Sequence, residues 1–160
     1  EVGYRKGVPM GSDLTQAPQS KAPSFLIRAV RDPDGANLDR LQVIKGWLDD
    51  KGSLREKIYN VALSDNRRFK VNGGVEPVGN SVDLSNATYT NTIGASELGT
   101  VWRDPDFQVS EPAFYYVRVL QIPTPRWTTF DVVSKNAKFG PEIPLTTQER
   151  VYTSPIWYTP

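Results

Sequence analysis

Four oxygen-bearing side chains, Asp32, Asp34, Asn37 and Asp39, fall within eight residues of one another. Hard cations such as Ca²⁺ take about 6–8 oxygens from loops of this composition, so the segment is a candidate cation loop. It is too short for an EF-hand and has no distal Glu in register. Pro33 and Gly35 favour instead a turn in which Asp32 or Asn37 caps backbone N–H groups. Two further segments, Trp102-Arg103-Asp104-Pro105-Asp106 and Pro123-Thr124-Pro125-Arg126-Trp127, each set an Arg beside a Trp next to a turn-forming Pro. A guanidinium can clamp a carboxylate or phosphate bidentately while an aromatic face shields it, and domain interfaces use the same residues as anchors. The alternative is internal: each Arg stacks on a Trp and pairs with Asp104, Asp106 or Asp131 to fix its loop. Trp102, Arg103, Asp104, Arg126 and Trp127 are therefore the candidates for interface or ligand contact, and Trp102, Arg103, Arg126 and Trp127 are expected together on one face.

The chain has no His and no Cys in 160 residues. It cannot supply the commonest metal ligands, or the imidazole base of a Ser/His or Cys/His site, so no catalytic residue is assigned. A glycosidase-like carboxylate pair needs two acids roughly 5–10 Å apart. Glu97, Asp104, Asp106 and Glu111 can be nominated, but among 18 acidic residues such a choice is nearly free. Seventeen aromatic residues, including Trp47, Trp102, Trp127 and Trp157, raise a different class, a carbohydrate-binding β-sandwich whose exposed rings stack on sugar faces. Tyr115, Tyr116 and Trp47 have apolar neighbours and are expected in the core. Asn86-Ala87-Thr88 fits a glycosylation sequon and reads as a solvated turn. A net charge of +1 argues against nucleic acid as a partner. No apolar run approaches the ~20 residues of a membrane span.

The elements that must position these residues are short. Twelve Gly and thirteen Pro punctuate the chain. Residues 1–24 read as an irregular lead-in or interdomain linker, and residues 25–160 as one domain. Alternation predicts a strand over Phe25–Val30 closed by the Asp32–Gly35 turn. It also predicts a hairpin in which Leu41–Leu48 and Lys57–Leu63 flank Lys51-Gly52. A helix over Leu38–Leu48 is the rival, disfavoured by β-branched and aromatic residues and by Gly46. Residues 66–86 read as turns, Tyr89–Ile93 and Gly99–Arg103 as short strands, and Ala113–Ile122 as a central strand. A helix is predicted with Thr128 or Thr129 as its cap, Phe130, Val133 and Ala137 as its apolar stripe, and Gly140-Pro141 as its stop. Thr146–Glu149 matches a capping box for one more helical turn. Tyr152–Tyr158, interrupted by Pro155, suits an edge strand. The fold class expected is mainly β, an Ig-like or related β-sandwich with one or two short helices.

The segments RAVRDPDGANLDRLQVIKGW (28–47), ELGTVWRDPDF (97–107), FYYVRVLQIPTPRWTTFD (114–131) and QERVYTSPIWYTP (148–160), with GYRKGVPMGSDL (3–14), resemble the C-terminal part of the domain-of-unknown-function family numbered 3604. The closing SPIWYTP also resembles the end of the accessory domain in some metallohydrolases of the polymerase-and-histidinol-phosphatase superfamily. The resemblance implies an upstream, His-rich, phosphoesterase-like domain of the same polypeptide, which holds a divalent metal and is this chain's partner. The chain itself is then a non-catalytic accessory part without a cofactor, open to self-association through the face that domain covers. A start at Glu1 without Met fits a processed product or a piece of a longer polypeptide. A periplasmic or secreted parent is the expectation for compartment.

Overall fold

A computed structural model describes residues 6–15 and 21–160. The strands are β1 (Asp13–Leu14), β2 (Ser24–Val30), β3 (Leu38–Leu48), β4 (Leu54–Leu63), β5 (Val82–Asp83), β6 (Thr88–Tyr89), β7 (Glu97–Arg103), β8 (Ala113–Gln121), β9 (Thr124–Pro125), β10 (Thr146–Thr147), β11 (Arg150–Tyr152) and β12 (Ile156–Tyr158); helix α1 is Trp127–Lys135. The protein is mainly β and sandwich-like. One layer is a six-stranded sheet in the order β1-β12-β8-β3-β4, with β11 also paired to β8. The other is an antiparallel ribbon of β2 and β7, in register from Ser24↔Arg103 to Val30↔Glu97.

Alternation decides which side chains meet between the layers. Ile27 and Leu98 of the ribbon pack with Leu41, Val43, Tyr115, Val119 and Tyr158 of the large sheet. Burying each such aliphatic side chain contributes about 1.5–3 kcal/mol. β3 and β8 lie at the centre, as their long apolar runs predict, and pair along nearly their whole length from Leu38↔Gln121 to Trp47↔Ala113. Ile44 is fully buried although it points to the outer face, between its register partners Ile58 and Tyr116. A strand buried on both faces explains why the periodicity of β3 also admits a helix.

The Leu41–Leu48 hairpin forms around Gly52 at φ 73, with Asp49 Oδ1 accepting the N–H groups of Lys51 and Ser53. A bulge between Leu41 and Gln42 shifts the register, pairing Leu41 with Ala62 and Gln42 with Asn60. Lys57 and Tyr59 therefore share the inner face while Val61 and Ala62 both pack on the core.

Several expectations need correction. The lead-in is not wholly irregular: Asp13 and Leu14 pair in parallel with Trp157 and Tyr158, and Gly11 N donates to Pro155 O. β1 is thus the sheet edge, and β12 lies inside it. Residues 1–5 and 16–20 of that segment fall outside the described residues. Thr146-Thr147 forms strand β10 against Pro125 and Thr124 rather than a helical turn, since pairing with β9 supplies the backbone partners that a capping box would. The strand expected over Tyr89–Ile93 ends at Tyr89. Asn91 instead accepts from Asn37 N and donates to Gly35 O, fastening the loop before β3.

Candidate functional site

The segment 32–39 is a turn with its own cation. Arg31 Nη1 donates to the carbonyls of Asp32, Pro33 and Gly35 at 3.0, 2.7 and 2.8 Å. Its guanidinium thus satisfies the three carbonyl oxygens that converge inside the turn. The four nominated side chains diverge. Asp32 Oδ1 accepts the N–H of Asp34, and Asn37 Nδ2 donates to the carbonyls of Asn91 and Ile93. Asp39, fully buried, accepts from Arg67 at 2.6 Å and from Arg40 and Gln148 at 3.0 Å each. Asp34 is exposed. Among the described residues no three His, Cys, Asp or Glu side chains are grouped to hold a metal ion.

The Trp102–Asp106 segment closes over a buried charge network. Trp102 leaves the end of β7 and packs its ring against Phe25, Tyr59 and Tyr115, with centroids 5.7, 4.9 and 6.4 Å away. Beneath it the Lys45 side chain is only 2% exposed and lies 2.9 Å from Asp104, 3.0 Å from the Asp106 carbonyl and 3.5 Å from Glu111. Asp104 also accepts from the Tyr115 hydroxyl at 2.7 Å and from Asp106 N at 2.9 Å. Outside it, the Asp106 carboxylate accepts from Lys57 at 2.5 Å and Tyr59 at 2.6 Å. Burial, then the bond to Asp104, pushes the Tyr115 phenol far above its ordinary value; burial and Asp106 do the same to Tyr59. Lys57 and then Tyr59 hold the Asp106 carboxyl below the usual carboxylate range.

Two of the four nominated acids, Asp104 and Glu111, thus gather round Lys45, which Asp106 meets only through its backbone carbonyl, and Glu97 pairs with Arg28 on the ribbon's outer face. Each of these four carboxylates has a cationic partner. The arrangement fixes the loop after β7 to the central strands. Arg103 is exposed and donates to Ser24 Oγ at 3.3 Å. Sequence reasoning missed Lys45, Lys57, Tyr59 and Tyr115 as partners. The available signal was a lysine in the otherwise apolar run Val43-Ile44-Lys45-Gly46-Trp47, since a charge at a core position requires a partner.

Arg126 and Trp127 lie elsewhere. From Tyr115, which touches the Trp102 cluster, β8 runs about 20 Å to Gln121 at about 3.3 Å per residue, and Trp127 follows β9 beyond that end. The two Arg/Trp pairs therefore lie toward opposite ends of β8 rather than side by side. The N-cap of α1 is Arg126, in extended conformation without a side-chain cap bond. Thr128 and Thr129, expected as caps, are wholly buried inside the first turn and donate their hydroxyls to the carbonyls of Pro144 and Leu145. Asn136, left-handed at φ 54, ends the helix before Gly140.

Because the threonines bind α1 to the protein, its apolar stripe points away. Trp127 is 59% exposed, and Phe130 and Val133 are exposed with it. Phe139 packs edge-on against Trp127 at 5.9 Å, and the Arg126 guanidinium lies 5.8 Å from the Trp127 ring. Phe130 borders an open cleft shared with Tyr89, Pro125 and Gly35.

These features define a mainly β, sandwich-like domain with internally paired acids around its buried lysine and an uncovered aromatic helix face. The particular family follows from the chain as a whole: residues 1–160 match the model described as a protein of unknown function (DUF3604), and the chain belongs to that family. No curated protein and no solved structure matches it.

Proposed function

We propose that this chain is the non-catalytic C-terminal accessory domain of a metal-dependent, phosphoesterase-like hydrolase, and that it braces an upstream domain of the same polypeptide. The observation that carries this reading is the α1 face. A helix held by buried threonines presents Trp127, Phe130 and Val133 outward, with Phe139 beside them, an arrangement of apolar centre and charged rim suited to an interdomain contact. Arg126, Lys135 and Asp131 supply the rim. The absence of His and Cys from the sequence and the internal pairing of Asp104, Asp106 and Glu111 support a role without catalysis in this chain. The likeness of SPIWYTP to metallohydrolase accessory domains supports the class of the parent. The divalent metal belongs, on this reading, to the upstream domain.

The test is reconstitution. The upstream domain and this chain are made separately and mixed, and recombination is followed by calorimetry and by hydrolysis of a phosphoester with Zn²⁺, Mn²⁺ or Mg²⁺. This chain alone turns nothing over. Trp127→Ala is expected to weaken recombination by about 10- to 100-fold, as for a buried aromatic anchor, while leaving the unfolding midpoint of the isolated chain nearly unchanged. Recombination at unaltered affinity in Trp127→Ala and Phe130→Ala would overturn the reading.

A further inference from the structure

The outer face of the large sheet carries a second exposed aromatic surface, unrelated to α1. Phe114 and Tyr116 alternate out of β8 with rings 6.3 Å apart and nearly parallel, at 9°. Trp157 of β12 extends the row beside Phe114 at 5.2 Å, and Tyr152 of β11 extends it beside Tyr116 at 6.1 Å. Trp157 is 48% and Tyr152 50% exposed. Gly46, the register partner of Phe114 on β3, makes the row possible, since a Cβ there would overlap the Phe114 ring.

The polar groups on this face determine what it can receive. Arg118 follows Tyr116 on the same face and is held by Gln42, which accepts from its Nε at 2.7 Å and donates in turn to Asn60. No carboxylate among the described residues pairs with Arg118. Glu56 of β4 stands opposite Gly46, and burial followed by its charge pushes the Tyr116 phenol up. Arg118 and Glu56 thus flank the rings, neither joined to the other nor to an opposite charge, and Arg150, two residues before Tyr152 on β11, stands farther along the same face. A charged polymer would meet repulsion at one of them, and an apolar peptide face would leave both desolvated. A neutral ligand with hydroxyls at its edges and C–H groups on its faces satisfies rings and charges together.

We propose that the row Trp157–Phe114–Tyr116–Tyr152 binds a neutral polysaccharide, its sugars stacked on the rings and its hydroxyls bonded to Arg118 and Glu56. This site is independent of the interdomain contact through α1. Native gels cast with a soluble mixed-linkage β-glucan, a xylan, a galactomannan or polygalacturonate test it on the 160-residue chain. At least one neutral polymer is expected to retard the protein and change its tryptophan fluorescence. Trp157→Ala and Tyr152→Ala should each weaken that binding about tenfold or more. Leu26→Ser, on the outer face of the β2–β7 ribbon, should leave it unchanged. If Trp157→Ala loses its native circular dichroism, Tyr152→Ala at the exposed end of the row decides. Retardation by no neutral polymer, retardation by polygalacturonate alone, or binding that persists in folded Trp157→Ala or Tyr152→Ala would overturn the proposal.

Discussion

Lys45→Met should destabilise the isolated chain by about 3–5 kcal/mol at pH 7, the cost typical of removing one member of a buried ion pair. Met retains most of the aliphatic stem, so little of the loss comes from packing. What remains is the Asp104 carboxylate, whose side chain has no solvent exposure, with Tyr115 OH and Asp106 N–H as its bonds and Glu111 near the emptied position. A carboxylate in that position has lost its counter-charge and has no water to replace it. Urea unfolding followed by tryptophan fluorescence reads this directly. With a slope of about 2 kcal/mol per molar, the midpoint should fall by about 2 M at pH 7. The double variant Lys45→Met/Asp104→Leu should recover much of the loss, because no unpaired charge is left inside. A loss at pH 7 below about 1 kcal/mol, or a double variant no more stable than Lys45→Met, would refute the view that this network fastens the loop after β7.

Other perturbations probe other parts of the fold. Gly94→Ala should cost about 2 kcal/mol or more by urea unfolding, because Gly94 sits at φ 79 and a Cβ there would lie 2.6 Å from Ile122 and 3.0 Å from the Leu38 carbonyl; an unaltered midpoint would contradict the tight approach of this turn to β3. Thr128→Val should lower stability by about 1–2 kcal/mol, since it removes the 2.8 Å bond to the Pro144 carbonyl and leaves that acceptor without its partner. In alkaline titration at 295 nm, Tyr59 and Tyr115 should stay protonated until the chain unfolds. Their phenols are raised in the folded state, so their contribution is complete below about pH 10, the ordinary tyrosine value, and is lost as pH rises above it. Full ionisation of all seven tyrosines in a chain that keeps its native circular dichroism would contradict this.

Much of the architecture was legible in local pattern. β3, β8 and the β3–β4 hairpin follow from alternation and from Gly52, and β7 and α1 lie close to where composition places them. Three of the differences, at Thr128, Thr129 and Thr146, share one cause: a polar residue's local preference does not decide its partner. Thr128 and Thr129 looked like caps, and Thr146 like the start of a capping box, because hydroxyls often bond nearby backbone. Here Thr128 and Thr129 reach carbonyls 16 residues away, and Thr146 pairs with Pro125 across β9. The apolar neighbours of Tyr116 predict a core position, yet it faces outward, since β8 alternates and its core side is formed by Ala113, Tyr115, Val117 and Val119.

The sequence by itself determined the chemistry this chain lacks and the kind of fold it adopts. With no His and no Cys, imidazole and thiolate chemistry are absent whatever the packing, and period-two apolar runs between Gly and Pro turns commit the chain to strands. Tertiary structure alone decided which groups meet. Lys45 and Asp104 are 59 residues apart, and Asp39 and Arg67 are 28 apart; no periodicity encodes that they pair, because the pairing depends on how β3, β7 and the loops between them stack. The same stacking separated Trp102 from Trp127, half-burying one ring in an aromatic cluster and leaving the other largely in solvent, although each stands beside an Arg and near a Pro in sequence. Side-chain type sets what a residue can do, and the long-range layering of the sheets sets whether it faces core, partner or water.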